Sequence, residues 1–100
     1  MPEDPTLRDI LEQGQQNELT AERIQKAVAE QFDVRLADMT SKRRPQSVAV
    51  PRQVAMYITR RLTDLSYENI SEAFKRKDHS TAIHAYETIE KKMMDDLSLQ

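Results

Sequence analysis

An all-α fold, a small helical bundle with no sheet, is what this chain predicts. There is one glycine in 100 residues, so few positions invite a backbone break. The chain is rich in Ala, Glu, Gln, Lys, Arg and Leu, the residues that lose least on entering a helix. Apolar residues recur three and four apart through successive segments, which is the helical period. The length fits one domain. An apolar content of 38% with five aromatic residues and no Trp supports a modest core and no deep catalytic cavity.

The elements can be read in order. Asp4 and Pro5 open a first helix as cap and first-turn residue; Leu7, Ile10 and Leu11 edge it, and Gly14 ends it. With the polar stretch QGQQNE, residues 1–18 read as a connector helix and linker, and residues 19–100 as the folded domain. Thr20 caps the next helix, whose buried stripe is expected at Ile24, Ala27, Val28 and Phe32. VRLADM reads as a short helix or turn with Val34, Leu36 and Met39 inward. TSKRRPQSVAV reads as a loop, stiffened by Pro45 and closed where Pro51 begins a long helix. There Val54, Ile58, Leu62 and Leu65 form one face. Gln53 and Arg60, seven apart, share another, rotated roughly 100° away. Ser66 caps YENISEAF, with Tyr67, Ile70 and Phe74 toward the core. After the short turn KRKD, Asp78 caps a last helix with Ala82, Tyr86, Ile89 and Met93 inward, ending near Met94. Two helices joined by a tight turn and backed by a third make a helix-turn-helix.

Charge is partitioned sharply along this layout. Residues 39–63 carry Lys42, Arg43, Arg44, Arg52, Arg60 and Arg61 with no acid, while the segments on either side are net acidic. A local basic surface suits a polyanion, because neutralising phosphates releases counterions. With no Cys, a disulfide frame, a thiol nucleophile and a cysteine zinc site are excluded. No apolar run reaches the length of a membrane span, and the acidic start MPEDPTLRDI is not a signal peptide. A cytoplasmic, nucleoid-associated protein is expected.

The stretch AFKRKDHSTAIHAYE concentrates chemistry-bearing residues at one helix start. Asp78, His79 and Ser80 hold the letters of a hydrolase triad, but adjacent residues at a helix start diverge and cannot form the relay. His79 and His84 stand five apart, roughly 140° around a helix, whereas two histidines sharing a metal stand four apart. A plain cap explains Asp78 and leaves the other polar residues without a role. In a helix-turn-helix the first turn of the second helix enters the major groove. There Asp accepts from cytosine N4, Ser and Thr bond either way, and a Thr methyl packs on thymine.

KDHSTAIHA, from Lys77 to Ala85, resembles the signature of the C-terminal DNA-binding domain (domain IV) of the bacterial replication initiators of the DnaA family. Upstream, SKRR, SVA, PRQ and AMY fall in that family's order, and the resemblance covers roughly Leu19 to Met94. It implies a TrpR-like helix-turn-helix that binds double-stranded DNA at replication-origin initiator boxes similar to TTATNCACA. It assigns Arg44 to the minor groove. Arg52 and Gln53 contact the duplex, and Arg60 grips phosphate. Asp78, His79, Ser80 and Thr81 read bases or hold phosphate in the major groove. Lys42, Arg43 and Lys77 join the phosphate clamp. His84 either packs or contacts phosphate.

The chain departs from the pattern in three places. Lys75 and Arg76 stand where the family usually has two glycines, so the turn either differs or carries strain of order 1 kcal/mol. Tyr67-Glu68 replaces an apolar-Pro pair, and an acid there repels phosphate. The family's last short helix is cut off at DDLSLQ. No G-x-x-x-x-G-K-[ST] loop occurs, so nucleotide binding, a small-molecule substrate, a cofactor and an enzymatic role are not expected. The remaining readings are a free-standing regulator that occupies such boxes without an ATPase, and a module that binds regulatory proteins through its acidic flanks.

Overall fold

The computed structural model describes residues 19–43 and 45–98. The expected first helix, the connector after it and Arg44 lie outside the described residues. The described chain runs through α1 (Ala21–Phe32), a 3-10 helix (Leu36–Met39), α2 (Gln46–Leu62), α3 (Tyr67–Ala73) and α4 (Ser80–Ser98). No strand occurs among the described residues. Thr20 caps α1 by accepting from the Arg23 N–H at 3.2 Å, as its sequence position predicts.

The long helix α2 starts five residues before the expected boundary. Pro45 is its N-cap, and Pro51 lies inside it. The Pro45 carbonyl accepts from Val48 and Ala49 at 2.9 and 2.8 Å, so the first turn closes upstream of Pro51. A proline at that depth removes one ladder bond, and burial of Pro51 with Val48, Ala55 and Met56 offsets it. The core is built from Ile24, Val28, Ala29, Met39, Ala55, Met56, Ile70, Phe74, Ala82 and Ala85.

Several expected core faces are rotated. On α1 the buried residues are Ala21, Ile24, Gln25, Val28 and Ala29, while Ala27 and Phe32 are exposed. Leu36 is exposed beside the fully buried Met39. On α2 the inward face is Val48, Arg52, Ala55, Met56 and Thr59; Val54 and Ile58 are half-buried, and Leu62 is 57% exposed. On α4, Ala82, Ala85 and Ile89 are buried, Tyr86 is half-buried and Met93 is exposed. This helix continues beyond Met94 to Ser98.

Helix α3 has only seven residues, too few to hold alone. Ser66 caps it through the Asn69 N–H at 3.1 Å. The fully buried Ile70 and Phe74 each contribute about 1.5–3 kcal/mol. Buried Gln25 of α1 donates to the Ala73 carbonyl at 3.0 Å, satisfying one end-of-helix acceptor that α3 cannot satisfy itself.

Candidate nucleic-acid interface

The turn between α3 and α4 sets the angle of the second helix. Lys75 has φ 56°. The Arg76 N–H donates to the Ser71 carbonyl at 2.8 Å, and the Lys75 N–H to the Glu72 carbonyl at 2.9 Å. This six-to-one and five-to-two pair is the Schellman arrangement, whose left-handed residue is usually glycine. The same backbone geometry is therefore reached here with lysine. α1 ends in the same way at Asp33, φ 56°, with Val34 donating to Ala29 at 2.9 Å.

Beyond the turn, Asp78 Oδ1 accepts from the Ser80 N–H at 2.9 Å. The Asp78 carbonyl accepts from Thr81 and the His79 carbonyl from Ala82. The first amides of α4 are thus engaged by the chain itself, and the side chains are left to face outward. Hydrogen bonds from Ser80 are the main cause holding the Asp78 carboxyl below its ordinary range, helped by His79 and His84 and opposed by a small loss of hydration. Lys77, Asp78 and His79 are exposed, and Ser80 and Thr81 are half-buried.

A cleft joins this helix start to the basic loop. It is lined on the loop side by Lys42 and Arg43, on α2 by Arg52 and Gln53, and on the opposite side by Arg76, Thr81 and His84. Residues far apart in sequence therefore share one cationic concavity. His84 is exposed and lines it, on the solvent side of the two alternatives left open for it.

Arg52 is the surprise of the site. The resemblance places it on the duplex; in the fold it is 7% exposed. Its Nε and Nη2 donate to the Asp38 carbonyl at 3.1 and 3.0 Å, and Nη2 also reaches the Ser41 hydroxyl and the Arg43 carbonyl at 3.2 and 3.1 Å. Burial pulls its pKa below the ordinary arginine value, the neighbouring Arg76 cation adds to that, and Asp38 opposes it; the guanidinium stays charged at any physiological pH. Asp38 is itself buried. Its Oδ2 accepts from the Arg35 N–H at 3.2 Å, and its Oδ1 stands 3.7 Å from Arg43 Nη1.

Arg60 is likewise engaged within the fold. It donates to the Leu65 carbonyl at 2.8 Å and its guanidinium carbon lies 4.4 Å from the centre of the Tyr67 ring. It does not line the cleft. Arg76 does, although the sequence marks it only as a replacement for a family glycine and not as a site residue. Its side chain is half-buried and donates through Nη2 to the Ser41 carbonyl. Its partner lies 35 residues away, which no local spacing reveals, and it follows the left-handed residue Lys75. Among the described residues there is no group of three or more metal-ligating side chains and no helix long and apolar enough to cross a membrane.

A short helix, a tight turn and a second helix that opens with polar side chains beside a cationic loop define a helix-turn-helix DNA-binding domain. The chain belongs to the bacterial DnaA family: the family described as "Bacterial dnaA protein helix-turn-helix" matches residues 21–89. It is similar to the chromosomal replication initiator protein DnaA of Methylacidiphilum infernorum (isolate V4), with 47% identity over 93 residues, covering 93% of this chain and 20% of the relative. The chain spans about a fifth of the length of that curated relative.

Proposed function

We propose that residues 19–100 read initiator boxes similar to TTATNCACA in duplex DNA at a replication origin, with residues 1–18 as a connector. The start of α4 enters the major groove, where His79, Ser80 and Thr81 meet base edges or phosphate. Asp78 holds the helix start through Ser80 and presents its carboxylate to cytosine N4. Arg44 enters the adjacent minor groove. Lys42, Arg43, Gln53 and Lys77 hold the backbone. Arg60 steadies the junction between α2 and α3 and offers its remaining donors to phosphate, and Arg52 acts from beneath the loop. The site of action is the nucleoid.

One observation carries this reading: the cleft that brings the basic loop, α2 and the first turns of α4 onto one cationic face. Phosphate contacts fix register and orientation, and the polar helix start supplies sequence information. The test is fluorescence anisotropy on a labelled duplex with one TTATCCACA box against a scrambled duplex across a salt series. Box binding should persist to higher salt than scrambled binding. Equal affinities that vanish together would leave only a nonspecific polyanion surface.

A further inference from the structure

We propose that Arg76 is a positioning residue that fastens the basic loop to the turn before α4, so that loop and helix meet DNA as one unit. This rests on the DNA-reading function proposed above. The bond from Arg76 Nη2 to the Ser41 carbonyl closes a separation of 35 residues and joins the two elements directly. Arg52 holds the same loop from the α2 side, through the Asp38 and Arg43 carbonyls and the Ser41 hydroxyl. The Ser41 residue is therefore gripped twice, at its hydroxyl by Arg52 and at its carbonyl by Arg76. Lys42 and Arg43 follow it immediately in sequence.

The arrangement depends on Arg76 and on the left-handed backbone just before it. Lys75 adopts the left-handed conformation, and the Schellman bonds fix the Arg76 backbone just beyond the end of α3, from where its side chain reaches the Ser41 carbonyl. A glycine there provides no tether. Arg76 Nε is buried without a hydrogen-bond partner, so the side chain is held in the fold rather than extended into solvent. Two guanidiniums lie under the loop; burial first, and then the Arg76 cation, lower the Arg52 pKa, and Asp38 opposes both. Carbonyl oxygens that accept from each guanidinium make the crowding tolerable. A planar fork suits that task better than a point-charge ammonium.

The test uses Arg76→Met, which keeps length without charge, and Arg76→Lys, which keeps charge without the fork. Two readouts are taken on each: trypsin cleavage after Lys42 and Arg43 in the free protein, normalised to thermal stability, and the box-to-scrambled affinity ratio with its salt slope. Both variants should cleave faster in the loop, and both should lose about tenfold in the ratio. For Arg76→Lys the salt slope on scrambled DNA should match wild type. Arg76→Lys matching wild type in both readouts would overturn the proposal, because charge alone would then suffice. So would unchanged loop cleavage in Arg76→Met with an equal affinity loss on both duplexes and a salt slope lower by about one, the signature of a direct phosphate contact. If the wild-type chain does not distinguish the two duplexes, the box-reading function fails, and loop cleavage alone decides whether Arg76 holds the loop.

Discussion

The floor of the cationic cleft and the surface around it use cations in opposite ways. On the floor, Arg52 and Arg76 donate to backbone carbonyls of the basic loop. On the outer surface, Lys42 at the cleft and Lys77 in the turn before α4 are exposed, and no hydrogen bond holds their side chains among the described residues. A basic surface of this kind has a scaffold of cations that shape it and a set of cations free to meet phosphate. Charge counts along a sequence add the two together, although only the free cations can release counterions.

Removing the floor should have the largest effect. Arg52→Met removes both guanidinium bonds from the Asp38 carbonyl, which keeps only the Ser41 hydroxyl, and removes the Arg52 bond to the Arg43 carbonyl. Hydrogen bonds to a charged group contribute about 1.5–3 kcal/mol, so chemical denaturation should show a loss of about 2–4 kcal/mol. DNA binding should fall as well, and the box-to-scrambled ratio with it, because the loop is no longer shaped. A variant of full stability that loses only DNA affinity would move Arg52 from the floor to the outer surface.

Substitutions outside the floor should separate the two effects. Thr81→Ala and His79→Ala should leave the denaturation midpoint near wild type and cost about 1–3 kcal/mol of box discrimination, read as the affinity ratio at fixed salt. Lys42→Ala should weaken both duplexes about equally and lower the salt slope by about one. A ratio unchanged by the first pair would place sequence reading elsewhere on the molecule.

The division between floor and outer surface also marks what the sequence made legible. Helix identity, the Thr20 and Ser66 caps, and Ile70 and Phe74 as core residues follow from local propensity and period, and the structure has them. The faces of α1 and α2 differ from the apolar pattern because polar residues complete them, although Ile24 and Val28 of the expected α1 stripe are buried. Gln25, Arg52 and Thr59 are buried through hydrogen bonds to distant carbonyls or to the preceding turn, and such partners leave no periodic trace. The same cause hides the Ser41 partner of Arg76. Pro51 misled the start of α2 because proline at a first turn is the commoner arrangement, whereas Pro45 fills the N-cap here.

A smaller effect separates the cap of α4 from its reading face. The Asp78 carboxyl has a folded pKa below its unfolded value, so its contribution to stability is present above the unfolded carboxylate range, about pH 4, and is lost as pH falls through the depressed folded value. Thermal melts of wild type and Asp78→Ala should differ at neutral pH and converge on acidification through that window. A difference that persists unchanged in acid would mean that the carboxylate charge does not support the helix start.

The smallest expected change is a gain. Asp33 and Lys75 hold the same left-handed position at the ends of α1 and α3, both at φ 56°. Aspartate visits that region readily because its short polar side chain bonds locally, whereas lysine has no such compensation. Lys75→Gly should therefore stabilise the fold by up to about 1 kcal/mol, the relief of strain exceeding the entropy that glycine adds to the unfolded chain. Asp33→Gly should gain less. Lys75→Gly should also leave the Arg76 tether intact, since the backbone already has the conformation that glycine prefers. A stability gain with slower or equal cleavage after Lys42 and Arg43 would show that strain at Lys75 and the grip of Arg76 are separable. A gain accompanied by faster loop cleavage would mean that the lysine side chain, and not the left-handed turn alone, helps to aim Arg76 at the loop.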